Sequence, residues 1–207
     1  MKSLSFLFFA LLIVLVFTSC GKTTKSKFTG DWEITAYDRK FYSIKNGDTI
    51  HHYNAYYGLN YVFGSKVSFG TDTEFSTTMN NAEFSINKNG EWKRTLDFSY
   101  FEGGQETRTV ETTSGTWSFL KKNGDNFDKN ERVLFSVTKL DATTTTPFGG
   151  TSTISSTHSE GEIMNVFRIL ESKNKFLEMR QDKESNLSSP DPQDQSVYVF
   201  YSLVQKD

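Results

Sequence analysis

The chain has 207 residues, a formal net charge of −2, one cysteine, and an aromatic content of 19 Phe, 9 Tyr and 3 Trp. That length suits one domain with a sizeable core. Near-neutral charge lacks the basic footprint that binding to a phosphate backbone needs, which excludes nucleic acid as a partner. A lone cysteine makes neither an internal disulfide nor a Cys-rich zinc site.

Met1-Lys2-Ser3 supplies a positive start, and the run from Leu4 to Phe17 is apolar except for Ser5. Such a run is too short for a bilayer span and fits the apolar region of an export signal. It ends in Phe17-Thr18-Ser19-Cys20. This resembles the lipobox of bacterial lipoproteins, which implies cleavage before Cys20 and acylation of that residue. Residues 1–19 are then a signal peptide, 20–27 the lipidated cysteine and its tether, and 28–207 the folded domain. Several acyl chains on one residue make a durable membrane anchor. The tether Gly21-Lys22-Thr23-Thr24-Lys25-Ser26-Lys27 reaches about 23 Å fully extended, so the domain sits close to the membrane. Lysines stand where surface-exported lipoproteins carry acidic residues, so the expected location is the outer membrane, facing the periplasm.

From Phe28 onward the composition favours strands. Threonine and aromatic residues abound, and the only alanines are Ala36, Ala55, Ala82 and Ala142. That is the opposite of a helix former's profile. Trp92, Arg94, Leu96, Phe98 and Tyr100 alternate with Lys93, Thr95, Asp97 and Ser99, which gives a strand with one wet face. Val133, Phe135 and Val137 repeat the pattern, as do Trp117 and Phe119, and Val197, Val199 and Tyr201. Asn-Gly pairs at 46–47, 89–90 and 123–124 mark tight turns, because they reach the positive φ that hairpins require.

Strands are expected near residues 31–38, 41–44, 49–57, 59–69, 74–79, 82–86, 91–101, 107–111, 116–120, 132–140, 163–170, 176–181 and 196–204. Residues 141–161, rich in Thr, Ser and Gly around Pro147, and 182–195, with Pro190 and Pro192, are expected as long loops, the first with room for a fraying hairpin. An antiparallel meander with one apolar face buries that face and loses its edges by closing on itself. The expected fold is therefore all-β, one antiparallel meander closed into a barrel of about 8–10 strands, with little helix.

Phe28-Thr29-Gly30-Asp31-Trp32 resembles the Gly-x-Trp motif that opens lipocalins. Later pieces fall in the order seen in lipocalin-like domains of Bacteroidota-type lipoproteins: residues 84–92, Ser114-Gly115-Thr116-Trp117, the stretch from Leu170 to Met179, and Tyr198-Val199-Phe200-Tyr201. The resemblance implies a lipocalin-like barrel. Trp32 and Trp117, each two residues after a glycine at a strand start, are expected to be buried plugs at one barrel end.

Candidate chemistry is sparse. His51-His52 with Asp48 invites a metal, but strand neighbours point to opposite faces. Asp125, Asp128 and Glu131 lack calcium-loop spacing. His158 lies in the Ser/Thr-rich stretch without a Gly-x-Ser-x-Gly elbow. No catalytic residue, metal or cofactor is expected, and the chain is not expected to be an enzyme. Arg94 shares its face with Trp92, Leu96, Phe98 and Tyr100, and Arg168 shares its face with Met164, Val166 and Leu170, so both guanidiniums are expected to turn towards the apolar interior. Two readings stay open: an internal partner satisfies each arginine, or they hold the anionic head of a ligand whose tail lies among rings such as Phe98 and Tyr100. The expected function is a membrane-anchored barrel binding a small apolar or amphipathic ligand. The alternative is a packed barrel serving as an interaction or inhibitor module of the cell envelope; its protein partner is unknown.

Overall fold

Alternation of apolar and polar side chains governs the whole domain. The computed structural model describes residues 23–45, 48–57, 60–67, 73–102, 104–173, 175–181 and 198–206. The export-signal run, Cys20 and the expected loop at 182–195 lie outside the described residues. The elements are α1 (Lys25–Phe28), β1 (Gly30–Lys45), β2 (Asp48–Tyr57), β3 (Asn60–Val67), β4 (Thr73–Ile86), β5 (Glu91–Glu102), β6 (Gln105–Phe119), β7 (Arg132–Thr145), β8 (Thr151–Thr157), β9 (Ile163–Lys173), β10 (Phe176–Gln181) and β11 (Tyr198–Gln205).

Eight of these strands close an antiparallel barrel in the order β1, β4, β5, β6, β7, β9, β10, β11 and back to β1. The first residues of β1 pair with the last of β4, Gly30 to Glu33 against Ile86 to Glu83. Their other halves diverge, and the β2–β3 hairpin fills the gap between them. On the other side, the outer half of β7 leaves the barrel wall beside β9 and pairs with β8. Both additions lengthen the same end of the barrel, which flares there.

Several expected strands merge into one. β4 carries a bulge between Met79 and Asn81, and β7 carries one at Thr138, opposite the step from Ser114 to Gly115. A bulge shifts the period-2 pattern by one residue without ending the strand. Of the expected loop at 141–161 much is the hairpin for which it left room: Asp141 to Thr145 continue β7, and Thr151–Thr157 form β8. The β-branched threonines fit a strand, and those of the pair Thr143–Thr153 meet at 3.2 Å between hydroxyls.

At the unflared end the interior is solid. Phe28, projecting from α1, is fully buried and meets Trp117, Phe119 and Phe135 with centroids 5.0, 5.2 and 6.2 Å apart. Thr23 is buried too, and Asn130 Nδ2 donates to its carbonyl at 3.2 Å. Residues 23–27 are thus docked on the domain and do not extend as a free tether. Trp32 and Trp117 are both buried at this end. Trp117 Nε1 donates to Asn87 O at 2.9 Å and its N–H to Gly90 O at 2.7 Å. Gly115 sits where β6 passes closest to β7: a Cβ there would lie 1.8 Å from Ser136 O.

On the outer wall Asp97 faces Arg108 across β5 and β6, and Asn80 Nδ2, in the β4 bulge, donates to Asp97 Oδ1 at 3.2 Å. Arg108, with help from Asn80, holds the Asp97 carboxyl below its ordinary value against the effect of burial. A depressed folded-state pKa stabilises the fold above the unfolded value of about 3.9 and is lost as the pH falls through the folded value. Because Arg108 is over half exposed, the contribution is only about 0.5–1 kcal/mol. Asp97→Asn should therefore lower stability at neutral pH and flatten the wild-type acid slope below pH ~4. Urea titrations across that range check it; parallel pH profiles for the two proteins would remove Asp97 from the account.

Candidate functional site

Above the solid end, the flared half of the barrel encloses a cavity of about 490 Å³, within the size range of small-molecule sites. Its floor is a ring cluster. Phe84 stacks on Trp92 at 5.5 Å, Phe135 meets Trp92 edge-on at 5.2 Å, and Phe167 and Tyr201 close the circle at 5.7 Å. Alternation places these rings: Trp92 on β5, Phe135 on β7, Phe167 on β9 and Tyr201 on β11 all point inward at similar heights. Trp92 Nε1 donates to Ser136 O at 3.2 Å, so its indole is fixed.

The wall above the rings is polar. Arg94 points into the lumen, as expected, and lines the cavity. Its Nη1 donates to Tyr201 Oη at 2.7 Å, and its Nη2 donates to Thr113 Oγ1 at 3.1 Å and to Glu111. Burial works against the guanidinium's charge, but Tyr201, Glu111 and Tyr37 outweigh it and hold Arg94 protonated, above its ordinary value. The charge is thus answered from inside the barrel by Glu111. On the facing wall Gln181 Nε2 donates to Asn165 Oδ1 at 3.3 Å, so both present polar atoms near the rings.

The mouth is closed on one side by the turn after β8. Ser156 Oγ lies 3.2 Å from His158 Nε2, and His158 Nδ1 lies 3.4 Å from Glu162 Oε1. The Ser159 N–H and then His158 hold the Glu162 carboxyl below its ordinary value. A Ser–His–Glu order invites comparison with acyl-transfer sites, which aim backbone amides at an oxyanion. Here those amides are committed to the loop and to β7 beside it. His158 N–H donates to Thr138 O at 2.9 Å, Ser159 N–H to Glu162 Oε2 at 2.9 Å, and Gly161 N–H to Ser136 Oγ at 2.8 Å. The trio fixes the turn against the rim.

The other expected ligand residues are placed differently. Phe98 and Tyr100 share the inner face with Arg94 but do not line the cavity; Phe98 packs against the core. Arg168 is a correction. The inner face of β9 carries Phe167 and Ile169, both buried, while Met164 and Leu170 are exposed on the face of Arg168. Arg168 therefore stands on the outer wall, bonded to Glu131 at 2.9 Å. Both faces of this strand are apolar in sequence, so alternation alone could not choose between them. Of the calcium candidates, Glu131 is engaged by Arg168 and by the Asp128 N–H at 2.8 Å.

Residues missed from the sequence include Glu111, Asn165 and Gln181. The signal for Glu111 was present: a Gly-Gly pair in sequence is a hairpin signal. The register of β5 and β6 places Glu102 opposite Gln105 and hence Leu96 opposite Glu111, one step diagonal from Arg94. Comparison of the chain with protein-family profiles, curated proteins and solved structures gives no match.

Proposed function

We propose that this chain is a lipid-anchored envelope protein of the lipocalin-like lipoprotein kind, whose barrel holds a small amphipathic molecule in the flared half. The observation that carries this reading is the cavity of about 490 Å³, with an aromatic floor and a hydrogen-bonding wall, set above the buried core cluster. A barrel kept only as a rigid interaction scaffold has no need of such a division. The rings accept an apolar ring or chain, and the wall of Thr113, Asn165 and Gln181 accepts an uncharged polar head. Since Glu111 already neutralises Arg94, a carboxylate head gains little there, which revises the anionic-ligand expectation.

Displacement of an environment-sensitive fluorescent lipid by a long-chain alcohol and by the matching fatty acid tests this. The alcohol should displace the probe at least as well as the acid, and Asn165→Trp, which fills the cavity, should abolish binding of both. Failure of the wild type to bind either, or unaltered binding by Asn165→Trp, sinks the cavity reading. The anchor is tested separately. A clickable fatty acid should label the wild type and leave Cys20→Ala unlabelled; equal labelling of the two would remove the lipid anchor.

A further inference from the structure

Arg132 begins β7, Arg168 lies directly opposite it on β9, and Arg180 of β10 is next in the same row. Like charges directly opposite one another on a sheet repel, so Arg132 and Arg168, paired across β7 and β9, call for negative charge beside them. Glu131 supplies part of it, with Oε1 accepting from Arg168 Nε at 3.1 Å and lying 2.9 Å from its Nη2.

Arg132 is the anomaly. It is only 5% exposed, and its Nε and Nη1 are enclosed without a hydrogen-bond partner among the described residues. Buried guanidinium donors without acceptors are strongly unfavourable, and such a group points to a missing acceptor. The Phe127 ring sits 4.3 Å from Arg132 Cζ and 5.7 Å from Arg168 Cζ. The ring steadies both cations but cannot take up their N–H groups.

The place of this pair in the fold suggests what the acceptor is. Asn130, two residues before Arg132, donates to Thr23 O at 3.2 Å. From Thr23 only three residues lead back to Cys20, at most about 10 Å of chain. An acylated Cys20 would therefore hold Arg132 and Arg168 near the headgroup layer.

We infer that Arg132 and Arg168 form a site for a phosphate-type oxyanion, supplied by the headgroup of a lipid in the membrane that holds the anchor. The guanidinium fork matches the oxygens of such a group, and the anion answers the charge that Glu131 leaves uncovered. The lipid as source rests on the anchor proposed above; the oxyanion site itself does not.

The test is thermal unfolding of the full-length membrane-extracted protein in an uncharged detergent. Inorganic phosphate, compared with chloride at equal ionic strength, should raise the melting temperature. So should micelles doped with phosphatidylglycerol, whereas diacylglycerol should not. Both shifts should shrink in Arg132→Gln and in Arg168→Gln, and persist in Lys88→Gln, which removes a charge in the β4–β5 turn. Because Arg168 is partly exposed, its variant keeps the test valid if Arg132→Gln folds poorly. A shift with phosphate but not with phosphatidylglycerol overturns the headgroup as source and keeps the site. No shift with either, or equal shifts in wild type and Arg168→Gln, overturns the site, whatever the outcome of fatty-acid labelling at Cys20.

Discussion

Trp32→Ala should lower the unfolding free energy by about 3–5 kcal/mol, which for a chain of this size is a drop of about 6–20 °C in melting temperature. The reason is position as well as volume. Trp32 is 1% exposed and stands where β1 closes the barrel in both directions, opposite Phe84 of β4 and Gln205 of β11. Removing the indole empties the core at that seam. The indole N–H has no partner among the described residues, so Trp32→Phe should cost much less than Trp32→Ala. Trp117 makes the contrast, because its Nε1 donates to Asn87 O, and Trp117→Phe would remove that hydrogen bond and leave the carbonyl only the Gly90 N–H. Urea unfolding of the three variants measures the order. Wild-type-like melting of Trp32→Ala would mean that β1 is not the strand on which closure depends.

The barrel was legible because its signals are local. Alternation in β5, β7 and β11 and the turn at Asn89-Gly90 are visible in short windows, and the scarcity of alanine and leucine argued against helix. Long-range features were less legible. The bulge in β4 shifts the inward face by one residue, so the expected break at residues 80–81 proved to be continuous strand; β6 runs through 112–115 with its alternation unshifted, the extra residue of the β6–β7 pair being Thr138 on β7. The stretch around Pro147 looked like a loop because threonine and serine serve loops and edge strands alike. Arg94 could be placed because its strand has one polar face; Arg168 could not, since Met164 and Leu170 are as apolar as Phe167 and Ile169. Which apolar face is buried is decided by pairing with β7 and β10, and no window within β9 contains that information.

Breaking the internal ion pair is the second large effect. Glu111→Leu should destabilise the domain by about 2–3 kcal/mol, below the 3–5 kcal/mol typical of a fully buried pair, since Glu111 is itself 31% exposed. The cost arises from Arg94, which would stay charged and buried with only Tyr201 and Thr113 as partners. If so, removing the arginine as well should restore most of the loss: Arg94→Met with Glu111→Leu should be closer to wild type than Glu111→Leu alone, a coupling of about 1–3 kcal/mol. A double variant no more stable than the single would show that the pair is not what holds this wall. The same double variant bears on the ligand. It keeps the volume of the cavity and the rings beneath it but takes away the polar atoms nearest Tyr201. Binding of a wholly apolar probe should survive or strengthen, while the preference for a long-chain alcohol over the corresponding alkane should fall. Loss of both together would place Arg94 and Glu111 in the shape of the cavity, and loss of the preference alone would place them in recognition of the head.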